Sequence, residues 1–134
     1  MEFASALARG DGAMMYAAGT DRGFGFVSDP PPGDNMLLVR FAPDQTVTWT
    51  TAIGSDGDQD VKDVAVDNRA GVYLAGSSDA DLGDQTHAGD GDAVLARVDA
   101  ETGDLQWARF IGGEGRDDAF AVDVGPNGSV YVGG

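Results

Sequence analysis

Apolar residues recur at every second position in short runs, and glycine, asparagine and aspartate bound each run. In DVAVD (63–67) the alternation is that of a strand. Asn68-Arg69-Ala70-Gly71 reads as a turn, and VYLAG (72–76) as a second strand. An Asp- and Gly-rich loop (77–91) follows, then DAVLARVD (92–99) as a third strand. The turn Ala100-Glu101-Thr102-Gly103 leads into LQWARFIG (105–112), the fourth. No window places apolar residues at helical spacing, so an all-β chain is expected.

The same order of strands is written more than once. VKDVAVDNRAGVYLAG (61–76) returns as AFAVDVGPNGSVYVGG (119–134) and, more loosely, as ASALARGDGAMMYAAG (4–19). Tyr16, Tyr73 and Tyr131 hold one place in the three copies, 57 and then 58 residues apart. NMLLVRFAPDQTVTWTTAIG (35–54) likewise matches DAVLARVDAETGDLQWARFIGG (92–113). A fixed period of this size marks a repeat architecture, and four antiparallel strands per repeat are the pattern of a β-propeller blade. The expectation is a β-propeller segment of about two and a half four-stranded antiparallel blades: residues 1–54, residues 55–112, and the first half of a third blade over 113–134. A ring needs about four blades to close, so the chain is expected to be part of a longer propeller. The alternative is that two copies together make about five blades.

The chain carries 23 Asp and Glu against 8 Lys and Arg, a net charge of −15. Such a chain repels nucleic acid and anionic membranes; divalent cations, basic protein surfaces or neutral polar molecules suit it better. There is no cysteine, hence no thiolate chemistry. No run approaches the roughly 18 apolar residues of a membrane span, so no membrane insertion is expected.

Residues 92–134 resemble the bacterial SBBP-type β-propeller repeat. Asp92-Ala93, Gly112-Gly113, Asp117-Asp118, Asn127-Gly128, Val130-Tyr131-Val132 and Gly134 fall at its matching places. The resemblance implies a scaffold or binding module of a large secreted or surface-attached protein. The stretch Asp99 to Trp107 is also similar to the blade motif of pyrroloquinoline-quinone-type propellers. Those place a glycine soon after the tryptophan, where this chain has Thr50 and Ala108. None of that family's cofactor-contacting residues is assigned.

Propeller topology sends the second-to-third-strand loops and the interblade linkers to one face. That face would gather 14 of the 23 acids, and long loops on a rigid scaffold are where binding usually resides. Within it, Asp56, Asp58 and Asp60 have the D-x-D-x-D spacing of a calcium loop. The match ends at Val61, where such a loop needs glycine, and Arg116 replaces Asp58 in the next copy. The competing reading is that Asp60 and Asp118 hydrogen-bond backbone N–H groups of the interblade turn. Asp79, Asp81, Asp84, Asp90 and Asp92, with Glu114, Asp117 and Asp118, complete the expected interaction face. They serve it either as ligands or as a solvated loop. His87 is the lone histidine and reads as a loop residue with no nucleophile beside it. Trp49 and Trp107, like the three repeated tyrosines, are expected to pack between blades. Arg40 and Arg97 are each expected to pair with an acid.

These observations predict a non-catalytic structural or protein-interaction module of a larger extracellular or cell-surface assembly. Its partners would be other protein chains or the rest of the same propeller, and its cofactor would be either none or Ca2+. The alternatives are a carbohydrate-acting or quinone-dependent propeller enzyme, or a carbohydrate-binding module.

Overall fold

The computed structural model describes residues 4–21, 33–54, 57–67, 69–82, 86, 91–113 and 115–134. Among them are ten strands, one 3-10 turn and no α-helix. Strands β1 (Ala4–Arg9), β2 (Met15–Asp21), β3 (Asn35–Phe41) and β4 (Val47–Ile53) form one antiparallel sheet, in that order. Strands β5 (Gln59–Val66), β6 (Gly71–Ser78), β7 (Asp92–Asp99) and β8 (Leu105–Ile111) form the second in the same way. Strands β9 (Ala121–Val124) and β10 (Val130–Gly133) pair as a third. Strand β5 packs against β1 and β2, and β9 against β5 and β6, so the leading strands of successive sheets are neighbours. This is a β-propeller segment: two four-stranded blades followed by a two-stranded one.

The strands coincide closely with the alternating runs. Strand β7 occupies 92–99, as its pattern predicts, whereas β5 begins at Gln59 rather than at residue 63. The reason is a register shift between Val61 and Asp63, after which Asp60 and Gln59 go on pairing with Ser77 and Ser78. Gly76 permits this extension. A Cβ there would lie 1.8 Å from the Asp60 carbonyl oxygen. Gly134 stands in the same relation to Asp118, where a Cβ would lie 2.1 Å from the carbonyl oxygen. The glycine that closes the phrase in the second and third copies is therefore a close-approach residue.

The core lies between sheets. Tyr16, Ala18, Met36 and Leu38 of the first blade meet Val61, Val72, Leu74 and Val94 of the second in one cluster. Tyr73, Ala75 and Ala93 of the second blade meet Val122 of the third, with Val130 and Val132 packed alongside. Fully burying such a side chain stabilises the fold by about 2 kcal/mol. Strand pairing sets Tyr16 beside Arg40 and Arg40 beside Trp49. It sets Tyr73, Arg97 and Trp107 in the same order one blade on. The Tyr–Trp ring centroids are 6.1 and 6.0 Å apart, and the guanidinium lies 5.9 and 5.6 Å from the tyrosine ring centre. Both tryptophans are half-buried in the interblade clusters.

Trp49 also fastens one blade to the next. Its Nε1–H donates to the Ala100 carbonyl at 3.0 Å, and the Thr51 hydroxyl donates to the Gly103 carbonyl at 2.5 Å. Gly103 has a φ of +80°, and a Cβ there would meet the Trp49 ring at 2.8 Å. Both constraints call for glycine at the turn on which the ring rests.

Replacing Gly76 by alanine is expected to cost about 3 kcal/mol of unfolding free energy, as overpacking does. Gly113→Ala, where nothing lies within 4 Å of the new Cβ, should stay within about 0.5 kcal/mol. Urea denaturation of the two variants checks the contrast.

Candidate functional site

The second-to-third-strand loops and the interblade linkers share one face, and a repeated backbone bond laces them together. The Gln59 N–H donates to the Asp34 carbonyl at 2.8 Å, and one blade later the Asp117 N–H donates to the Gly91 carbonyl at 2.8 Å. Each linker is thereby tied to the loop of the blade it leaves. Gly54 and Gly112 close each lacing from below. A Cβ on Gly54 would strike Asn35 and Gln59, and one on Gly112 would strike Asp117.

This face holds a cleft of about 220 Å³ that runs from the first blade across the second to the linker that follows it. Asp34, Asp58, Asp60, Asp79 and Asp118 line it, together with Thr20, Gln59, Ser77, Ser78 and Arg116. The structure thus gathers Asp58, Asp60, Asp79 and Asp118 from the expected set. Asp117 instead lines the hollow between the second and third blades, where its Oδ2 accepts the Gly113 N–H at 3.0 Å. Asp92 is buried in β7, opposite Ser78. Asp81 is exposed. Asp56, Asp84, Asp90, Glu114 and His87 lie outside the described residues.

The cleft carboxylates bind donors of the chain itself. Asp79 Oδ1 accepts the Asp58 N–H at 2.7 Å, and Asp58 Oδ1 accepts the Asp34 N–H at 3.2 Å. Asp60 Oδ1 accepts the Thr20 hydroxyl at 2.5 Å, and its Oδ2 lies 2.6 Å from Lys62 Nζ. Asp118 Oδ2 accepts the Arg116 Nε–H at 3.3 Å. Asp60 and Asp118 thus take side-chain donors, from Thr20, Lys62 and Arg116. Among the described residues no three acidic or imidazole groups converge closely enough to hold a metal ion.

Four uncharged polar residues of the cleft carry no motif of their own: Thr20, Gln59, Ser77 and Ser78. Thr20 and Ser77 do follow the repeated glycines Gly19 and Gly76, a signal that repeat alignment could have used. The Ser78 hydroxyl donates to the Ala80 carbonyl at 2.7 Å and accepts from Gln59 Nε2 at 3.1 Å. Its proton therefore faces backbone rather than a base. The cleft offers carboxylate oxygens to a cationic group.

The opposite face carries a network confined to the second blade. Asp67 Oδ1 accepts the N–H groups of Arg69 at 2.7 Å and Gly71 at 2.8 Å, and its Oδ2 lies 3.6 Å from Arg97. Arg97 Nε donates to the Tyr73 hydroxyl at 3.1 Å. Burial pushes the Asp67 carboxyl up, but the two N–H bonds and the Arg97 charge outweigh it and hold the group below its ordinary range. The acid partner expected for Arg97 is thus Asp67. Arg40 differs: among the described residues it makes no ion pair, and its buried Nε has no hydrogen-bond partner. The first repeat has Gly10 where the second has Asp67, so the carboxylate is missing from the sequence itself.

No family model matches the chain, and no curated protein matches it.

Two outcomes follow for this site. A carboxyl depressed in the folded state adds stability above its unfolded pKa of about 4, and that stability is lost as pH falls through the folded value. Asp67→Asn should therefore cost about 1–2 kcal/mol near neutral pH, with the gap to wild type closing below about pH 4 in pH-resolved urea melts. The second outcome concerns calcium. Because Asp58 and Asp60 already hold chain donors, EDTA is expected to leave the Tm unmoved. A Tm that drops with EDTA and returns with Ca2+ would make these residues ligands.

Proposed function

We propose that the chain is a non-catalytic structural or protein-interaction module built of β-propeller blades. In this reading it serves a larger extracellular or cell-surface assembly. The observation that carries it is the placing of apolar surface: Leu7 is 66% exposed, Tyr131 62% and Phe120 59%. Leu7 and Tyr131 belong to repeat positions that pack between blades elsewhere in the chain. Exposed apolar faces of this kind mark contact with another protein surface, either another chain or the rest of the same propeller. The acidic face supports the same reading, since its carboxylates fix loops in place and give a cleft whose field favours basic protein surfaces. The likeness of residues 92–134 to the SBBP-type repeat belongs to this proposal as well.

Photo-cross-linking tests the reading. A photoreactive side chain placed at Leu7, Tyr131 or Asp58 is expected to capture protein in extracts of the source cells. Capture from none of the three, or turnover of a carbohydrate or alcohol substrate by the purified chain, would count against it.

A further inference from the structure

The first two blades carry the same tyrosine–arginine pair, and only the second carries the carboxylate that completes it. There Arg97 Nε donates to the Tyr73 hydroxyl at 3.1 Å, and Asp67 Oδ2 lies 3.6 Å from Arg97 Nη2. The Tyr73 hydroxyl also helps to keep Asp67 ionised. In the first blade Gly10 stands where Asp67 stands. Backbone bonds confirm the match: the Gly10 N–H donates to the Met14 carbonyl at 2.8 Å, and the Asp67 N–H to the Gly71 carbonyl at 2.9 Å. Arg40 lies over the Tyr16 ring, but its buried Nε–H has no acceptor. A buried donor in that state weakens a fold until something takes its proton. Tyr16 leans instead over Gly10, where a Cβ would lie 2.7 Å from its Cε2.

Space is open beside this incomplete pair. A hollow of about 380 Å³ between the two blades has Tyr16 and Arg40 on one wall and Val66, Asp67 and Ala100 on the other. A second hollow, of about 270 Å³, adjoins it at Asp11, Val66 and Asp67 and reaches Gly10. Both lie between the two four-stranded blades. The acids that share these walls do not serve Arg40. Asp67 is taken by Arg97 and by the N–H groups of Arg69 and Gly71. Among the described residues neither Asp11 nor Glu101 forms an ion pair with Arg40.

We infer that the hollow binds a small monocarboxylic acid, whose carboxylate takes toward Arg40 the place that Asp67 holds toward Arg97. A carboxylate is the group that the planar guanidinium fork pairs with best, and acetate has the form of the side chain that Gly10 lacks. With it bound, the Tyr16 hydroxyl turns to accept the Arg40 Nε–H, as Tyr73 does for Arg97. Asp11 and Glu101 on the same walls, and a net charge of −15, oppose a second negative charge. A dicarboxylate, or an acidic segment of another protein, is therefore the poorer ligand.

Titration of the full chain with sodium acetate near neutral pH tests the inference, with sodium chloride exchanged for acetate so that ionic strength stays constant. Trp107→Phe leaves Trp49 as the one tryptophan, and its ring lies 6.1 Å from that of Tyr16. Its emission should change saturably with acetate, and the Tm should rise as the site fills. Malonate should need a several-fold higher concentration for the same change. Gly10→Asp supplies the carboxylate from the chain itself. The backbone there, at a φ of −108°, suits any residue, so this variant should fold and show no saturable response. Arg40→Gln should lose the response as well, and either variant decides the matter should the other fail to fold. A wild-type response that rises linearly and equally in the variants is a general effect of the salt and overturns the inference. A saturable response that survives Gly10→Asp or Arg40→Gln does the same, since the acid is then held elsewhere. Malonate binding more tightly than acetate overturns the monocarboxylate class.

Discussion

Each sheet of this protein has two apolar faces and can bury neither by itself. The second blade shows the constraint most clearly, because it has a neighbour on both sides. Val72, Leu74, Val94 and Val98 are sealed against the first blade, and Tyr73, Ala75 and Ala93 against the third. The first blade has the same alternation, yet Leu7 and Met15 stay in solvent. Burial is thus a property of the stack rather than of the blade, as expected where units contact only their neighbours.

The polar chemistry serves the same end. The linker bonds from Gln59 and Asp117, the Trp49 and Thr51 bonds to the next turn, and the Asp63 carboxylate accepting the Val122 N–H at 3.0 Å all join adjacent units. Backbone carbonyls accept four of these five bonds, and the Asp63 carboxylate accepts the fifth. Asp58 toward Asp34 and Asp60 toward Thr20 add carboxylate acceptors between the first two blades, which gives part of the acid excess a structural use.

Much of the fold was legible because a strand in a stacked sheet advertises itself through alternation, and a repeat supplies internal copies against which to check it. Strand β7 and the blade order could be read directly. The recurring Gly76 and Gly134 were visible as letters, but their cause, the approach to the Asp60 and Asp118 carbonyls, became apparent only with the strands in register. The site was less legible. Which donor a loop carboxylate takes depends on chain brought close from far away: Thr20 is 40 residues from Asp60, and Asp79 is 21 from Asp58. No local spacing encodes that. Arg40 and Arg97 look identical by position and both lie over a tyrosine ring, but Asp67 in place of Gly10 gives Arg97 an ion pair as well.

Within the two four-stranded blades every strand hydrogen-bonds to the strand next to it in sequence, and among the described residues the backbone bonds between blades join immediate neighbours. Loops that close over such short stretches cost little entropy and form fast. The genetic unit and the structural unit therefore coincide. A tandem duplication or loss of one whole repeat would lengthen or shorten the array without re-registering any strand pair in the blades that remain. Gene-level recombination could thus tune the size of the assembly while the packing rule stays unchanged.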